Sequence, residues 1–390
     1  MKSSHPIIPY WLFTSAVLII GVFFFSSLWD ITSTTNLGEN DFVGYWSATY
    51  LFHNGQNPYD PELMEITQRT QLQTDLDSTI MAWNPPSLFV LLLPLAWLSF
   101  DAAKYVWLII NLIILVTAGL MLIRIYLPAN NTRTTLIYLV FVAIFPPVAS
   151  GLYMGQVTFL VFLGLVASVA LIKKGHWFWA GAVLVLTTIK PHLVILPLIY
   201  LLISMVQYRK YEGWAGLILA GIACLIVLFI FRANWINDFI GESAIAPVNW
   251  ATPTIGGLLS YLHISNAARY LIILFLPLPF LLARYHAVVP MEFAVALLTL
   301  ITIPTTFFGW SYDQTLLLIP VAQILGWMSR LKDRLFNLAV ATALAMAIIF
   351  NYYQRLLSTN DVYYFWVPIF WWIIFGLSRY RSLQTVNNYD

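Results

Sequence analysis

The sequence predicts an all-α membrane protein that crosses the bilayer about a dozen times. Three observations carry the prediction. Of the 390 residues, 60% are hydrophobic. Only 9% are charged, against about 25% in a soluble domain. Apolar runs too long for a soluble core recur along the whole chain, with no repeat, low-complexity tract or soluble domain between them. The net charge of +2 gives no electrostatic case for a nucleic-acid partner. The single cysteine, Cys224, lies in an apolar run, so it closes no internal disulfide and makes no metal site.

The first run, Ile7–Leu28, follows Lys2 and is about 22 residues long, which suits a span better than a signal peptide. No A-x-A cleavage pattern follows it, so it reads as a retained helix. Further apolar segments are Pro86–Phe100, Ala103–Leu127, Thr135–Ala149, Val157–Ile172, Trp177–Ile189, Leu193–Val206 and Trp214–Phe231. Ala268–Ala283, Met291–Phe308, Thr315–Met328, Phe336–Phe350 and Tyr364–Leu377 complete the set. Several are short for a span, and Pro94, Pro197, Pro277, Pro304 and Pro320 lie inside them. Tilted or irregular helices are therefore expected.

Charge orients the chain. The segment Asp30–Pro85 holds eight of the seventeen acidic residues and one basic residue, Arg69. The scarcity of Lys and Arg assigns it to the outer face. The basic clusters Arg124/Arg133, Lys173–Lys174, Arg209–Lys210, Arg330/Lys332/Arg334 and Arg379/Arg381 belong inside. Both requirements hold if one segment between Pro86 and Gly151 does not cross. Pro86–Phe100 is the first choice, being short and broken by Pro94, and Thr135–Ala149 as a re-entrant segment is the alternative. Twelve spans with both termini inside follow. The outer face then collects Asp30–Pro85, Gly155–Gln156, Lys190–Pro191–His192, Arg232–Thr254 and Trp310–Gln314.

Polar residues in those segments are the candidates for chemistry. Asp41 precedes an aromatic stretch, Phe42–Phe52, expected to lie as a helix at the interface with Tyr45 and Trp46 at headgroup depth. A carboxylate there either caps the helix or acts as a general base. Asp60 follows the Pro58–Tyr59 turn and precedes Pro61, and reads better as a cap. Asn84–Pro85–Pro86 makes a rigid start to an apolar run. Gln156, at membrane depth, needs a partner from a neighbouring helix or a ligand. Lys190 is an expensive cation beside a proline break, suited with His192 to a phosphate, with Arg232 and Arg269 as the next candidates. Trp310–Ser311–Tyr312–Asp313–Gln314 is a short polar turn between spans. No P-loop, G-x-G-x-x-G, H-E-x-x-H or C-x-x-C is present, so no nucleotide or zinc mechanism, and no cofactor, is expected.

Taken in order, these segments resemble glycosyltransferase family 87, of the GT-C superfamily of membrane enzymes. The pattern is an early Asp (Asp41), an aromatic stretch ending in G-x-x-P-Y (Gly55–Tyr59), N-P-P (Asn84–Pro86) with a later P-L (Pro94–Leu95), G-Q-V (Gly155–Val157) and K-P (Lys190–Pro191). It covers roughly the first 210 residues, and the rest matches mainly in hydropathy. Family members often carry histidine where this chain has Tyr312–Asp313–Gln314. The resemblance implies one multi-pass domain over 1–390: an outer loop at 30–85 with interfacial helices, a GT-C module at 86–210 and C-terminal helices at 211–390. It implies inverting transfer of a hexose, typically mannose, from a polyprenyl-phosphate sugar to a lipid or glycan acceptor. The setting is the cell envelope, in the plasma (inner) membrane with the site on the outer or periplasmic face. In that reading Asp41 is the base, and Lys190 with His192 holds the donor phosphate. Tyr45, Trp46, Tyr59, Asp60, Gln156, Tyr312 and Asp313 contact sugar or acceptor, and no metal is required. The competing readings are a transporter or flippase of a lipid-linked sugar, and a glycan polymerase or ligase.

Overall fold

A computed structural model describes residues 41–72, 78–127, 132–243, 250–331, 333–357 and 360–387. The expected first helix, Ile7–Leu28, lies outside the described residues. Every regular element among the described residues is helical.

Five helices are long and apolar enough to cross a membrane: Phe100–Tyr126, Tyr211–Phe231, Ala267–Arg284, Arg334–Leu356 and Asp361–Gln384. Their surfaces suit lipid. Phe100–Tyr126 buries Ala103, Trp107, Asn111, Ile114, Ala118 and Leu122 along one stripe. It exposes Val106, Ile109, Ile113, Val116 and Leu120 on the other. Both stripes follow the helical spacing, and an exposed row of large apolar side chains belongs against acyl chains rather than water. Tyr211–Phe231 buries only Gly213, Gly216 and Leu228. A side chain at Gly216 would collide with the Phe178 carbonyl of the helix Trp177–Val183. Small residues of this kind let membrane helices approach closely.

The remaining apolar segments are shorter or broken, as their prolines lead one to expect. Thr134–Ile144 and Pro146–Met154 meet at a 47° bend, the geometry of a broken span or of a re-entrant segment. Pro146 lacks the N–H that would continue the helix. Thr158–Lys173, Trp177–Ile189, Pro191–Gln207 and Met291–Thr305 are apolar helices of 10–17 residues. Ser87–Leu92 passes at Pro94 into the 3-10 turn Leu93–Trp97. These 6 and 5 residues span about 20 Å at most, short of the bilayer's hydrocarbon core. Among the described residues five of the expected spans therefore have full length, the bent pair is either a sixth, broken span or a re-entrant segment, and the other apolar runs fold as shorter helices.

The aromatic stretch after Asp41 does form a helix, Asp41–His53, but not one lying with a single face in lipid. It buries Phe42, Val43, Tyr45, Trp46, Ala48, Leu51 and Phe52. The reason is its apolar circumference, which has no polar face to offer water. Trp46 donates to the Leu95 carbonyl at 3.2 Å, and Phe42 stacks on Trp107 at 6.0 Å. Ser87–Trp97 thus covers this helix, where a surface helix was expected to stay open.

The bundle has two chemically distinct ends. Thr158 starts the helix Thr158–Lys173, and its hydroxyl donates to Asp313. Lys173 ends it and pairs with Glu292 at 3.0 Å. The 16 residues between separate the two ends by about 24 Å. Near Glu292, the Arg379 guanidinium lies over Phe293 and Trp327. The basic clusters Lys173 and Arg379 therefore sit at the end opposite Asp313.

Candidate active site

The five segments that charge assigns to one face meet in space. Arg232 donates to the Gly55 carbonyl at 3.0 Å. Trp83 packs on Trp250 and Trp250 on Trp310, with ring centroids 6.3 and 5.9 Å apart. Gln156 reaches Asp41, and Lys190 reaches Asp313.

Each polar side chain is delivered by a break in a helix. Asp41 opens Asp41–His53. Gly155 ends Pro146–Met154 in the left-handed region, φ 65°. A Cβ there would strike Phe42, so only glycine lets the turn press onto the Asp41 helix. Trp107 donates to the Gly155 carbonyl at 2.8 Å and fixes the turn. Gln156 follows, fully buried. Lys190 sits between two 3-10 turns, Leu184–Ile189 and Pro191–Val194, where Pro191 cannot continue the helix. Asp313 lies in the 3-10 turn Ser311–Leu317, held because its Oδ2 accepts from the Trp310 N–H at 2.9 Å.

These four residues form one hydrogen-bonded chain. Gln156 donates from its amide nitrogen to Asp41. Its amide oxygen accepts from Lys190 at 3.0 Å and from the Tyr45 hydroxyl at 3.3 Å. Lys190 donates further to Asp313 at 2.9 Å and to Thr158 at 3.2 Å. Its three N–H groups are thus all engaged. The Tyr312 ring lies under the ammonium at 5.0 Å, and its hydroxyl is near enough to Asp41 to act on the carboxyl's pKa. Burial pushes the Asp41 carboxyl above the ordinary aspartate range, while the Lys190 charge and the Tyr312 and Gln156 hydrogen bonds pull it back.

Not every residue singled out in the sequence joins this chain. Asp41, Tyr45, Gln156, Lys190, Tyr312 and Asp313 do. Trp46 is buried on the far side against Leu95 and Tyr50. The Tyr59 hydroxyl donates to the Asn84 carbonyl at 2.8 Å, and its ring packs on Phe89 and Phe239. Asp60 caps Pro61–Leu72, accepting from the N–H groups of Glu62 and Leu63. His192 is partly buried, and its carbonyl accepts from Thr306 at 2.9 Å. Asn84 ties the first loop to the lysine break, donating to Ile189 at 3.4 Å. Thr158 and Trp107 complete the site without being singled out beforehand. The position of Thr158 directly after Gly155–Gln156–Val157, at a helix start, is the signal that points to it.

The profile of glycosyltransferase family 87 matches residues 83–304, more than half of the 390. The chain belongs to glycosyltransferase family 87. The match begins after the Asp41 helix and runs well beyond residue 210, so the resemblance is not confined to the N-terminal half. Asn84, Gln156 and Lys190 fall inside it; Asp41 and Asp313 flank it. No curated protein and no solved structure matches the chain. Among the described residues of this glycosyltransferase, no group of three His, Cys, Asp or Glu side chains is placed to hold a metal ion.

Proposed function

We propose that the enzyme transfers a hexose, mannose by the family resemblance, from a polyprenyl-phosphate sugar to a lipid or glycan hydroxyl, with inversion, at the outer face of the plasma membrane. The observation that supports this is the chain Asp41–Gln156–Lys190–Asp313, assembled from four distant segments at one end of a membrane bundle. In the proposed step the acceptor oxygen attacks the anomeric carbon as its proton passes to Asp41. The bond from that carbon to the phosphate oxygen breaks on the opposite side, and the phosphate leaves with the electron pair. Gln156 orients the carboxylate, and Lys190, its charge balanced by Asp313, holds Gln156. Tyr45 and Tyr312, beside Asp41, offer hydroxyls and ring surface to the sugar or acceptor.

The test is purified protein with a panel of radiolabelled polyprenyl-phosphate sugars, scored for release of lipid monophosphate. Release with a mannosyl donor and an added acceptor lipid is the expected result. Transfer from nucleotide sugars alone would refute the donor class. Movement of a lipid-linked sugar across vesicles without transfer would favour the flippase reading.

A further inference from the structure

We infer that Arg269 is the cation that holds the phosphate of the glycosyl donor, an inference that rests on the donor being a phosphate-linked sugar. Of the other cations at this face, Arg355 donates to the Ser311 hydroxyl at 3.0 Å and has the Asp361 carboxylate nearby, and the two singled out in the sequence, Lys190 and Arg232, have their capacity taken. Lys190 directs all three N–H groups at Gln156, Thr158 and Asp313. Arg232 is paired with Asp238 at 2.7 Å and donates to the Gly55 carbonyl.

Arg269 keeps two nitrogens unmatched. It is 6% exposed. One terminal nitrogen, Nη2, donates to the Trp250 carbonyl at 2.6 Å and to the Ser260 hydroxyl at 3.2 Å. Its Nε and Nη1 are buried and have no acceptor. Among the described residues no carboxylate pairs with it. A buried guanidinium with unmatched donors and no counter-charge is costly, and in a membrane protein such a cation marks a functional site. Three N–H groups on two nitrogens are what phosphate oxygens accept well.

Its position suits the reaction. The guanidinium lies 5.6 Å from the centre of the Phe308 ring. Phe308 meets Trp250 at 5.6 Å, Trp250 meets Trp310 at 5.9 Å, and Trp310 stacks on Tyr312 at 6.4 Å. The Tyr312 hydroxyl in turn faces Asp41 closely enough to act on its carboxyl. A run of rings therefore joins the unpaired cation to the carboxylate. In the inferred complex the donor's phosphate lies at the cation and its sugar on the rings toward the carboxylate. Displacement with inversion needs those two groups on opposite sides of the anomeric carbon. The two free nitrogens are covered in this structure, so phosphate binding must come with a local shift of the side chains around them.

The test uses the full chain in nanodiscs, with farnesyl phosphate, farnesyl phosphomannose and farnesol as probes. Wild type should bind both phosphates at least about tenfold more tightly than farnesol, as charge-assisted hydrogen bonds predict. Arg269→Gln should lose that preference with farnesol affinity unchanged, and Asp41→Asn should keep it. A folded Arg269→Gln that retains the preference overturns the inference and leaves the donor reading standing. If wild type shows no preference for the phosphates, the donor reading falls and the inference with it. Should Arg269→Gln not fold, Arg269→Lys decides, since it keeps the charge and one donor for Trp250 but loses the planar donor set. A drop of about tenfold in the phosphate preference then supports the inference, and an unchanged preference overturns it.

Discussion

At Asp41 the proposed chemistry can be separated from capping. Asp41→Asn keeps the size and hydrogen-bonding capacity of the side chain and removes its basicity. Sugar transfer should fall by about 10²–10⁴, whereas Asp60→Asn, which alters a cap on Pro61–Leu72, should leave the rate near wild type. Transfer by Asp41→Asn at the wild-type rate would remove it as the base. The raised pKa has a sign that can be checked. The base works ionised, so activity is lost as pH falls through its pKa, and burial places that acid limb above the range of a free aspartate. Gln156 donates to the carboxylate and favours the charged form. Gln156→Leu should therefore move the acid limb of kcat/KM to higher pH, and a limb that stays or moves down contradicts the proposed role. Lys190 and Asp313 are 8% and 2% exposed at their side chains. Lys190→Met leaves Asp313 buried and unpaired and should cost about 3–5 kcal/mol of stability. Lys190→Met with Asp313→Asn should recover much of that loss in a thermal-unfolding double-mutant cycle; additive losses would mean the two charges are not coupled.

Among the elements, the breaks matter more than the helices. Gly155, the Lys190–Pro191 junction and the 3-10 turn Ser311–Leu317 each bring a polar side chain to one place. Gly155→Ala tests this. Its φ of 65° disfavours any side chain by about 1–2 kcal/mol, and the added methyl would press on Phe42. The turn should shift, taking Gln156 away from Asp41. The expected outcome is a folded protein whose transfer rate falls far more than its thermal stability does, with kinetics and unfolding measured side by side. The covered helix Asp41–His53 teaches the same lesson from the other direction. Its aromatic content reads as membrane-surface, and the neighbouring Ser87–Trp97 segment and Trp107, which no local pattern pairs with it, make it core.

For the whole molecule, the two ends of the bundle separate opposite chemistries. Asp41, Lys190 and Asp313 gather at one end, and Lys173, Glu292 and Arg379 at the other. If the basic end is cytoplasmic, a cysteine at position 54 should react with an impermeant reagent from outside in a Cys224→Ala background, and one at 174 should not. Equal labelling of both from outside would contradict this orientation.

By itself the sequence determined the class: membrane burial of so apolar a chain needs internally satisfied backbone, hence helices. It also determined which polar residues are too expensive to be idle, because the cost of Asp, Lys or Gln at membrane depth is a property of the residue and its flanks. Gln156 and Lys190 are legible on that ground, whereas Asp41 stands out by its place before an aromatic stretch and Asp313 only as part of a short polar turn. Tertiary structure alone decided the pairings. Which carboxylate neutralises Lys190 depends on segments 123 residues apart, and sequence spacing carries no information about such a contact. It also decided that Lys190 is saturated while Arg269 is left with unmatched donors. A cation's vacancy for an anion is set by the acceptors that the fold brings to it.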